Sequence, residues 1–397
     1  MKDGAAHITS AEELALQRKR YAHLSDEEFR FMLQQVDGRQ RTQSKLPTFA
    51  AIDDWWYPVR LSCEQCSSEA TARYKAQLLA RITTQPSTLV DLTGGYGVDT
   101  YFMSEHMAEA HYVEQNAELC RIATHNFAHT RPQISIHNTS AEAYLSMPTA
   151  ALSNSIFFID PARRDAHGGK VFRIEDCEPN LLEILPIIRQ HTPHIIIKLS
   201  PMIDLSSALH SLGGRWDVHV VAVNNEVKEV LLQTAETQSS DAETHTYAVN
   251  ILHERTDSYH FTREAESQAQ CSIVGEAMEQ MQYLYEPNAA IIKAGAFKSI
   301  AQAYKLSKLD SNTHLYAAET MVENFPGRVW KIIAHRIKDA KSIHAHGISR
   351  TAIITRNYPL TPEQVRKKFK VQDDDTYYLI GARIAQTPTL LLAQRVR

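Results

Sequence analysis

From about Trp55 onward, short apolar runs alternate with amphipathic stretches, an alternation that predicts strands separated by helices. The runs lie at 88–92, 110–113, 134–137, 156–159 and 194–199, with helical spacing at 116–129 and 179–191 between them. Runs that are apolar at nearly every position suit strands buried on both faces, so the expected fold class is α/β, a doubly wound, mostly parallel Rossmann-like sheet. Ahead of the sheet, Ser10-Ala11-Glu12-Glu13 and Ser25-Asp26-Glu27-Glu28 each fit a capping box, in which serine and glutamate satisfy backbone N–H groups left open at a helix start. Residues 1–54 are therefore expected to be helical, with a boundary near Lys45-Leu46-Pro47.

After Trp216 the pattern turns strand-rich, at 218–223, 229–233 and 246–252, where antiparallel strands closing the sheet edge are expected. Residues 267–283 read as a helix, ended by the turn chemistry of Tyr285-Glu286-Pro287-Asn288. The last sixty residues predict a small α+β module: a strand at 350–355, a helix at 362–369, and strands at 377–385 and 389–394. The helix start is well specified, with Thr361 as N-cap, Pro362 in the first position and Gln364 three residues on.

With 397 residues the chain has room for two to four units, each with its own core. The first ten residues hold no apolar stretch of signal-peptide length, and no run reaches the roughly 20 apolar residues of a membrane span, so a cytoplasmic location without a membrane partner is expected. The five cysteines are an odd number and widely spread, which makes reduced thiols the expectation. Cys63-Glu64-Gln65-Cys66 has no second pair at zinc-site spacing, and the histidines show no ligand spacing, so no metal is expected. Net charge is −4, but residues 298–397 carry 17 Lys and Arg against 8 Asp and Glu, a net of +9 that leaves −13 for the remainder. A basic end on an acidic body points to a polyanionic partner for that end, the alternative being a solvated charged face.

The strongest chemical signal is Val90-Asp91-Leu92-Thr93-Gly94-Gly95-Tyr96-Gly97-Val98-Asp99-Thr100, an apolar strand running through glycines into a helix. Such a turn lets backbone approach a ligand and aims a helix N-terminus at it. Glu114 ends the next strand, where an acid can hydrogen-bond ribose hydroxyls. A dinucleotide fingerprint would need glycine where Thr100 stands, which disfavours a dehydrogenase. A carboxylate at Asp91 would repel a pyrophosphate but suits a ligand with an amino group, such as S-adenosylmethionine. The second signal is Ile156-Phe157-Phe158-Ile159-Asp160-Pro161-Ala162-Arg163-Arg164-Asp165. Ligands of open α/β sheets sit beyond the strand ends at the switch point, so this turn falls beside the glycine loop. The Asp160 carboxylate and the turn carbonyl could accept both hydrogens of an exocyclic amine and aim its lone pair at a methyl carbon.

With these motifs, and with Glu64-Gln65-Cys66-Ser67-Ser68-Glu69-Ala70-Thr71-Ala72, Lys198-Leu199-Ser200-Pro201 and Tyr285-Glu286-Pro287-Asn288, the chain resembles the class I S-adenosylmethionine-dependent methyltransferases that carry a THUMP-like C-terminal domain, over nearly its whole length. The resemblance implies a methyltransferase domain at 55–270, a ferredoxin-like one at 271–335 and a THUMP-like one at 336–397. It implies that Asp91, Gly95 and Gly97 cradle the methionine part of S-adenosylmethionine, with Thr93 and Asp99 in the same loop and Glu114 on the ribose. Ser67, Ser68 and Thr71 would line the cofactor entrance, and Ala141 and Glu142, after Ser140, would contact the adenine. Asp160, Pro161 and Arg163 would form the catalytic turn. Amine-methylating relatives read acid-Pro-Pro-aromatic; here Ala162 and Arg163 follow, so stacking on the target base falls to Phe172 or to Arg163 itself. Lys198 would face the substrate, and the basic cluster Arg366, Lys367 and Lys368, near Tyr377 and Tyr378, suits RNA phosphates and bases.

The leading expectation is an enzyme that methylates a nitrogen of a base in RNA. Two alternatives stay open: a methyltransferase for a protein or small molecule, and a non-catalytic RNA-binding protein that keeps the cofactor pocket.

Overall fold

Strands β1 (Thr88–Asp91), β2 (Glu109–Glu114), β3 (Ile134–Asn138), β4 (Ser155–Ile159) and β7 (Ile195–Leu199) realise the five apolar runs, and the two-residue strands β5 (Ala162–Arg163) and β6 (Cys177–Glu178) pair with each other between the last two. The structure, a computed structural model, describes residues 10–82, 87–147, 155–163, 173–235 and 243–396. The five long strands are parallel and hydrogen-bonded in the order β3-β2-β1-β4-β7. Ile156 to Ile159 and Ile195 to Ile197 are buried throughout, as strands covered on both faces must be. Each such side chain contributes about 1.5–3 kcal/mol through the apolar area it removes from water. The chain builds outward from β1 to β3 and then returns to place β4 on the other side of β1. The carboxyl ends of β1 and β4 therefore flank the switch point.

Helices α1 (Ala11–Leu16), α2 (Asp26–Thr42), α3 (Pro47–Ala51), α4 (Arg60–Gln65) and α5 (Glu69–Ile82) precede the sheet, and α6 (Val98–Met103), α7 (Ala117–Thr130), α8 (Ala141–Leu145), α9 (Leu181–Ile188) and α10 (Leu205–Leu212) connect its strands. Both expected caps are present: the Ser10 hydroxyl accepts from the Glu13 N–H, and Ser25 forms the complete box with Glu28. The boundary expected near Lys45-Leu46-Pro47 is instead interior. Leu46 and Phe49 are fully buried, and Phe49 packs on Trp55 (ring centroids 4.1 Å apart), Tyr101 (4.9 Å) and Phe102 (5.7 Å). Aromatic contacts of this kind contribute about 0.5–1.5 kcal/mol each beyond buried area, and they join α3 to α6, the helix that follows β1.

The chain divides into two compact units, Met1–Trp216 with Val230–Gln238 and Asp217–Glu229 with Ser239–Arg397, where the sequence suggests four segments. Strand β8 (Trp216–Val223) leads into the second unit. Strand β9 (Glu226–Thr234) starts there and ends in the first, where Val230 to Gln233 pair antiparallel with β7. In the second unit β10 (His245–Ile251) lies parallel to β8, and β11 (Thr256–Thr262) is antiparallel to β10. The expected antiparallel edge is thus right for β9 and β11 but not for the β8/β10 pair, because two reversals of direction separate those strands. No helix spans 267–283: α11 (Arg263–Gln268) ends early, Gly275 takes φ +52°, and a short 3-10 segment, Gly275–Gln280, follows.

The rest of the second unit comprises β12 (Tyr283–Pro287), α12 (Ala289–Ala294), α13 (Ser299–Ala303), β13 (Ser307–Asp310), β14 (Thr313–Ala318), β15 (Gly327–Ala334), α14 (Ala340–His344), β16 (Ala352–Arg356), α15 (Pro362–Phe369), β17 (Tyr377–Ile384) and β18 (Thr387–Arg395). Its seven strands form one sheet, ordered β13-β14-β12-β15-β18-β17-β16. Leu284, Leu309, Trp330, Ile380 and Leu391 belong to one core cluster of this sheet, while Ile343 and Phe369 from α14 and α15 join Leu379, Leu390 and Leu392 in another. Among the described residues no helix is long and apolar enough to cross a membrane, and no group of three or more His, Cys, Asp or Glu side chains gathers at metal-binding range.

Candidate functional site

The turn from β1 to α6 is held by a hydrogen bond of its own and by two bonds to β2. The Gly94 N–H donates to the Val113 carbonyl (2.8 Å), the Gly97 N–H to the Gly94 carbonyl (2.8 Å), and the Tyr112 hydroxyl to the Gly95 carbonyl (2.5 Å). Two glycines here are sterically required. A Cβ on Gly94 would stand 2.3 Å from the Tyr112 ring; one on Gly97, at φ +83°, would stand 2.6 Å from the Phe127 ring. Gly95, at φ +55°, differs, because a Cβ there would have only the Thr93 carbonyl oxygen within 4 Å, at 3.8 Å. Space for a ligand therefore opens at Gly95.

Glu114 ends β2 beneath this turn, where one carboxylate oxygen accepts from the Gly95 N–H (2.9 Å) and the other from the Asn116 N–H (2.7 Å). A carboxylate has about four lone-pair sites, so two remain for a ligand. Asp91 is buried at the end of β1 and accepts from the Thr100 hydroxyl (2.5 Å) and from the Thr93 N–H (3.0 Å). Burial pushes its carboxyl pKa up to about 7, with Asp99 and Asp160 adding to the rise and the Thr100 and Thr93 bonds opposing it. Thr93 accepts from the Asp160 N–H at 2.7 Å and so ties the end of β4 to the end of β1.

The raised pKa of Asp91 sets the sign of a pH effect. Between the unfolded value near 3.8 and about 7 the folded chain holds a proton that the unfolded chain releases. The Asp91 contribution to stability therefore falls as pH rises through that window, by roughly 1.4 kcal/mol for each pH unit crossed. Asp99, held low, titrates below the window. Urea unfolding of the intact protein and of Asp91→Asn at about pH 5 and pH 7.5 is expected to show a steeper loss of stability in the intact chain; equal pH dependence would overturn the assignment to Asp91.

Behind the turn lies a charged network. Lys75 on α5 has no exposed surface, and its ammonium sits 3.2 Å from the Asp99 carboxylate and 3.4 Å from the Ser67 hydroxyl. The Ser67 hydroxyl donates to Asp99 (2.7 Å), and the Lys198 ammonium donates to Asp160 (2.5 Å) and to Ser67 (3.1 Å) while lying 3.6 Å from Asp99. Burial works to raise the Asp99 pKa, yet Lys75, Lys198 and Ser67 together hold it below the usual carboxylate range. Asp99 is thus the anion that keeps two lysines in place, and Lys198 is the cation that orients Asp160.

The residues singled out in the sequence separate accordingly. Ser67, Asp91, Thr93, Gly95, Gly97, Asp99, Asp160 and Lys198 come together around the ends of β1 and β4, with Pro161 buried beside them and Glu114 below the turn. Ser68 and Thr71 are linked to one another at the start of α5, the Ser68 hydroxyl donating to that of Thr71. Ser140 caps α8, which buries Ala141 and leaves Glu142 exposed. Arg163 has its backbone in β5, opposite Cys177, but its side chain is outside the described residues, as is all of Phe172. In the second unit Arg366 pairs with Asp373, and Lys367 and Lys368 are exposed on α15. Lys75 was missed, although helical spacing from Thr71 and to Leu79 places it on the buried face of α5. Burial pushes the Cys63 thiol up to about 12 and raises that of Cys66, which disfavours the thiolate needed for metal or redox chemistry.

Comparison with known proteins adds two family matches: a ferredoxin-like domain over residues 283–326 and a THUMP domain-like segment over residues 327–395. Among solved structures, a "putative methyltransferase" from Porphyromonas gingivalis W83 aligns with a TM-score of 0.84 and 30% identity, covering 98% of this chain and all of the other. An rRNA methylase from Streptococcus thermophilus (TM-score 0.30, 13% identity, 41% of this chain and 96% of the other) and a SAM-dependent methyltransferase from Agrobacterium tumefaciens (0.31, 14%, 43% and 62%) also align, too distantly to bear on function. The curated proteins give no match. Identity of 30% along the whole length of the P. gingivalis protein, with both C-terminal matches in place, shows that this chain belongs to the methyltransferase family whose C-terminal region is ferredoxin-like and THUMP-like.

Proposed function

We propose that the protein binds S-adenosylmethionine at the ends of β1 and β2 and transfers its methyl group to a nitrogen of a base in RNA. The observation that carries this reading is the convergence at one switch point of the open Gly95 turn, the acids Asp91 and Glu114, and an Asp160 carboxylate oriented by Lys198. The residues fit the cofactor: Gly95 leaves space beside the turn, Glu114 keeps lone pairs for ribose hydroxyls, and Asp91 offers a carboxyl to an amino group. When bound, the cofactor would supply a methyl group activated by a sulfonium.

The protein's part is then positioning and charge. Lys198 holds one oxygen of Asp160, and among the described residues the other takes no hydrogen bond. That oxygen can accept an N–H of the target amine, orient its lone pair and stabilise the positive charge that grows on nitrogen as the N–C bond forms and the C–S bond breaks. The nitrogen then sheds its extra proton to Asp160 or to solvent. A basic C-terminal region, with its net charge of +9 over residues 298–397, suits an RNA substrate.

Calorimetric titration of the whole protein with S-adenosylmethionine and S-adenosylhomocysteine tests the cofactor. Binding in the micromolar range is expected, weakened at least tenfold, or by about 1.4 kcal/mol, in Asp91→Ala. No heat from the intact protein with either ligand would end the methyltransferase reading.

A further inference from the structure

A cavity of about 750 Å³ lies within the second unit, at the seam between the stretches matched as ferredoxin-like and THUMP-like. Its charged wall is built around one buried acid. Glu286, on β12, is paired with Arg328 on β15 and with Arg356 at the end of β16, the latter at 2.6 Å. Strand register fixes the first pair, since Glu286 and Arg328 stand opposite one another. Gly327 makes that register possible, because a Cβ there would stand 2.0 Å from the Glu286 carbonyl oxygen.

A guanidinium has five N–H donors. Arg328 gives one to Glu286, and Arg356 gives one to Glu286 and one to the Thr355 carbonyl, so donors remain on both. Both arginine side chains keep part of their surface exposed, 31% and 43%. Lys293 from α12 also lines the cavity. Asn225 and Asn357 belong to the polar wall with Asn312 and Thr313, and both take left-handed backbone conformations that asparagine tolerates well.

The cavity also has an aromatic side. His314 lines it with its ring stacked on Phe297, centroids 3.8 Å apart, and its Nδ1 is buried without a hydrogen-bond partner among the described residues. Burial, with Lys308 nearby, lowers its pKa, so the ring near pH 7 brings an uncharged aromatic surface to the cavity wall. Pre-oriented guanidinium forks match phosphate oxygens, and a neutral ring beside them suits a base. The volume exceeds what a lone phosphate would fill.

We propose that this cavity holds one nucleotide of single-stranded RNA, its phosphate on Arg328 and Arg356 and its base toward His314. The proposal rests on the RNA reading above and adds the place where the RNA is held, apart from the exposed cluster on α15.

The test uses the full chain and a fluorescein-labelled 12-nucleotide single-stranded RNA, with anisotropy measured from about 50 to 200 mM salt. Arg356→Gln leaves Glu286 paired with Arg328, and Lys293→Gln leaves both arginine pairs, so the two variants check each other for misfolding. Each is expected to weaken binding several-fold, and the double variant at least tenfold, with the slope of log K against log salt shallower by roughly 0.7 for each phosphate no longer neutralised. Affinity and slope equal to those of the intact protein in the double variant would overturn the cavity while leaving RNA as the substrate. No RNA binding by the intact protein would overturn both, and the cofactor titration would then show whether methyl transfer survives as an activity.

Discussion

Asp160→Ala is expected to lower methyl transfer to RNA by about 10²–10⁴-fold while leaving S-adenosylmethionine affinity within a few-fold of the intact protein. The split follows from geometry. Asp160 belongs to the turn after β4, where it presents its carboxylate with Lys198 on one oxygen; the residues proposed to hold the cofactor belong to the β1 turn and the end of β2. Removing the carboxylate takes away both the orienting acceptor and the negative charge that meets the developing cation. Lys198 keeps Ser67 and Asp99 as neighbours, so the network behind the turn should persist. A tritiated-methyl assay over cellular RNA, paired with calorimetry of the cofactor, reads the two quantities separately. Full activity in the variant would remove Asp160 from the chemistry, and equal loss of cofactor binding would reduce it to a structural role.

The largest stability effect is expected at Asp99. Asp99→Ala leaves the ammonium of Lys75, which has no exposed surface, without its carboxylate, and breaking a buried pair from one side costs about 3–5 kcal/mol. Lys75→Met should cost less, since Asp99 retains Ser67 and Lys198. The double variant Lys75→Met/Asp99→Leu should recover much of the loss, because neither charge is then stranded. Urea unfolding of the four proteins measures this directly. A cost below about 1 kcal/mol for Asp99→Ala would show that Asp99 is not what stabilises the Lys75 charge.

Much of the first unit was legible because its physics is local. Apolar runs at 156–159 and 194–199 had to be strands covered on both faces, and Ser25 with Glu28 and Thr361 with Gln364 cap the helices they were expected to cap. The glycine turn and Asp160 were legible as a pair, since β1 and β4 meet at the switch point. The failures are cases in which one pattern serves two structures. Val274, Met278 and Met281 are spaced as on a helix and are indeed buried, but the segment reaches the core as a 3-10 turn after a left-handed Gly275. The Lys75–Asp99 pair was not legible as a pair: 23 intervening residues hide it, and only the packing of α5 beside α6 joins them. The seam cavity was hidden for the same reason, its cations arriving from α12, β15 and β16.

The seven-stranded sheet of the second unit bears on how this architecture can be inherited. The two family matches meet between residues 326 and 327, yet β12 before that point is hydrogen-bonded to β15 after it, and Leu284 and Leu309 share a core with Trp330, Ile380 and Leu391. Cutting there would leave a three-stranded piece and a four-stranded piece, each with a raw edge and half a core. Gene fusion or shuffling could therefore transmit the two segments only as a couple, and descent, not modular exchange, would keep them side by side.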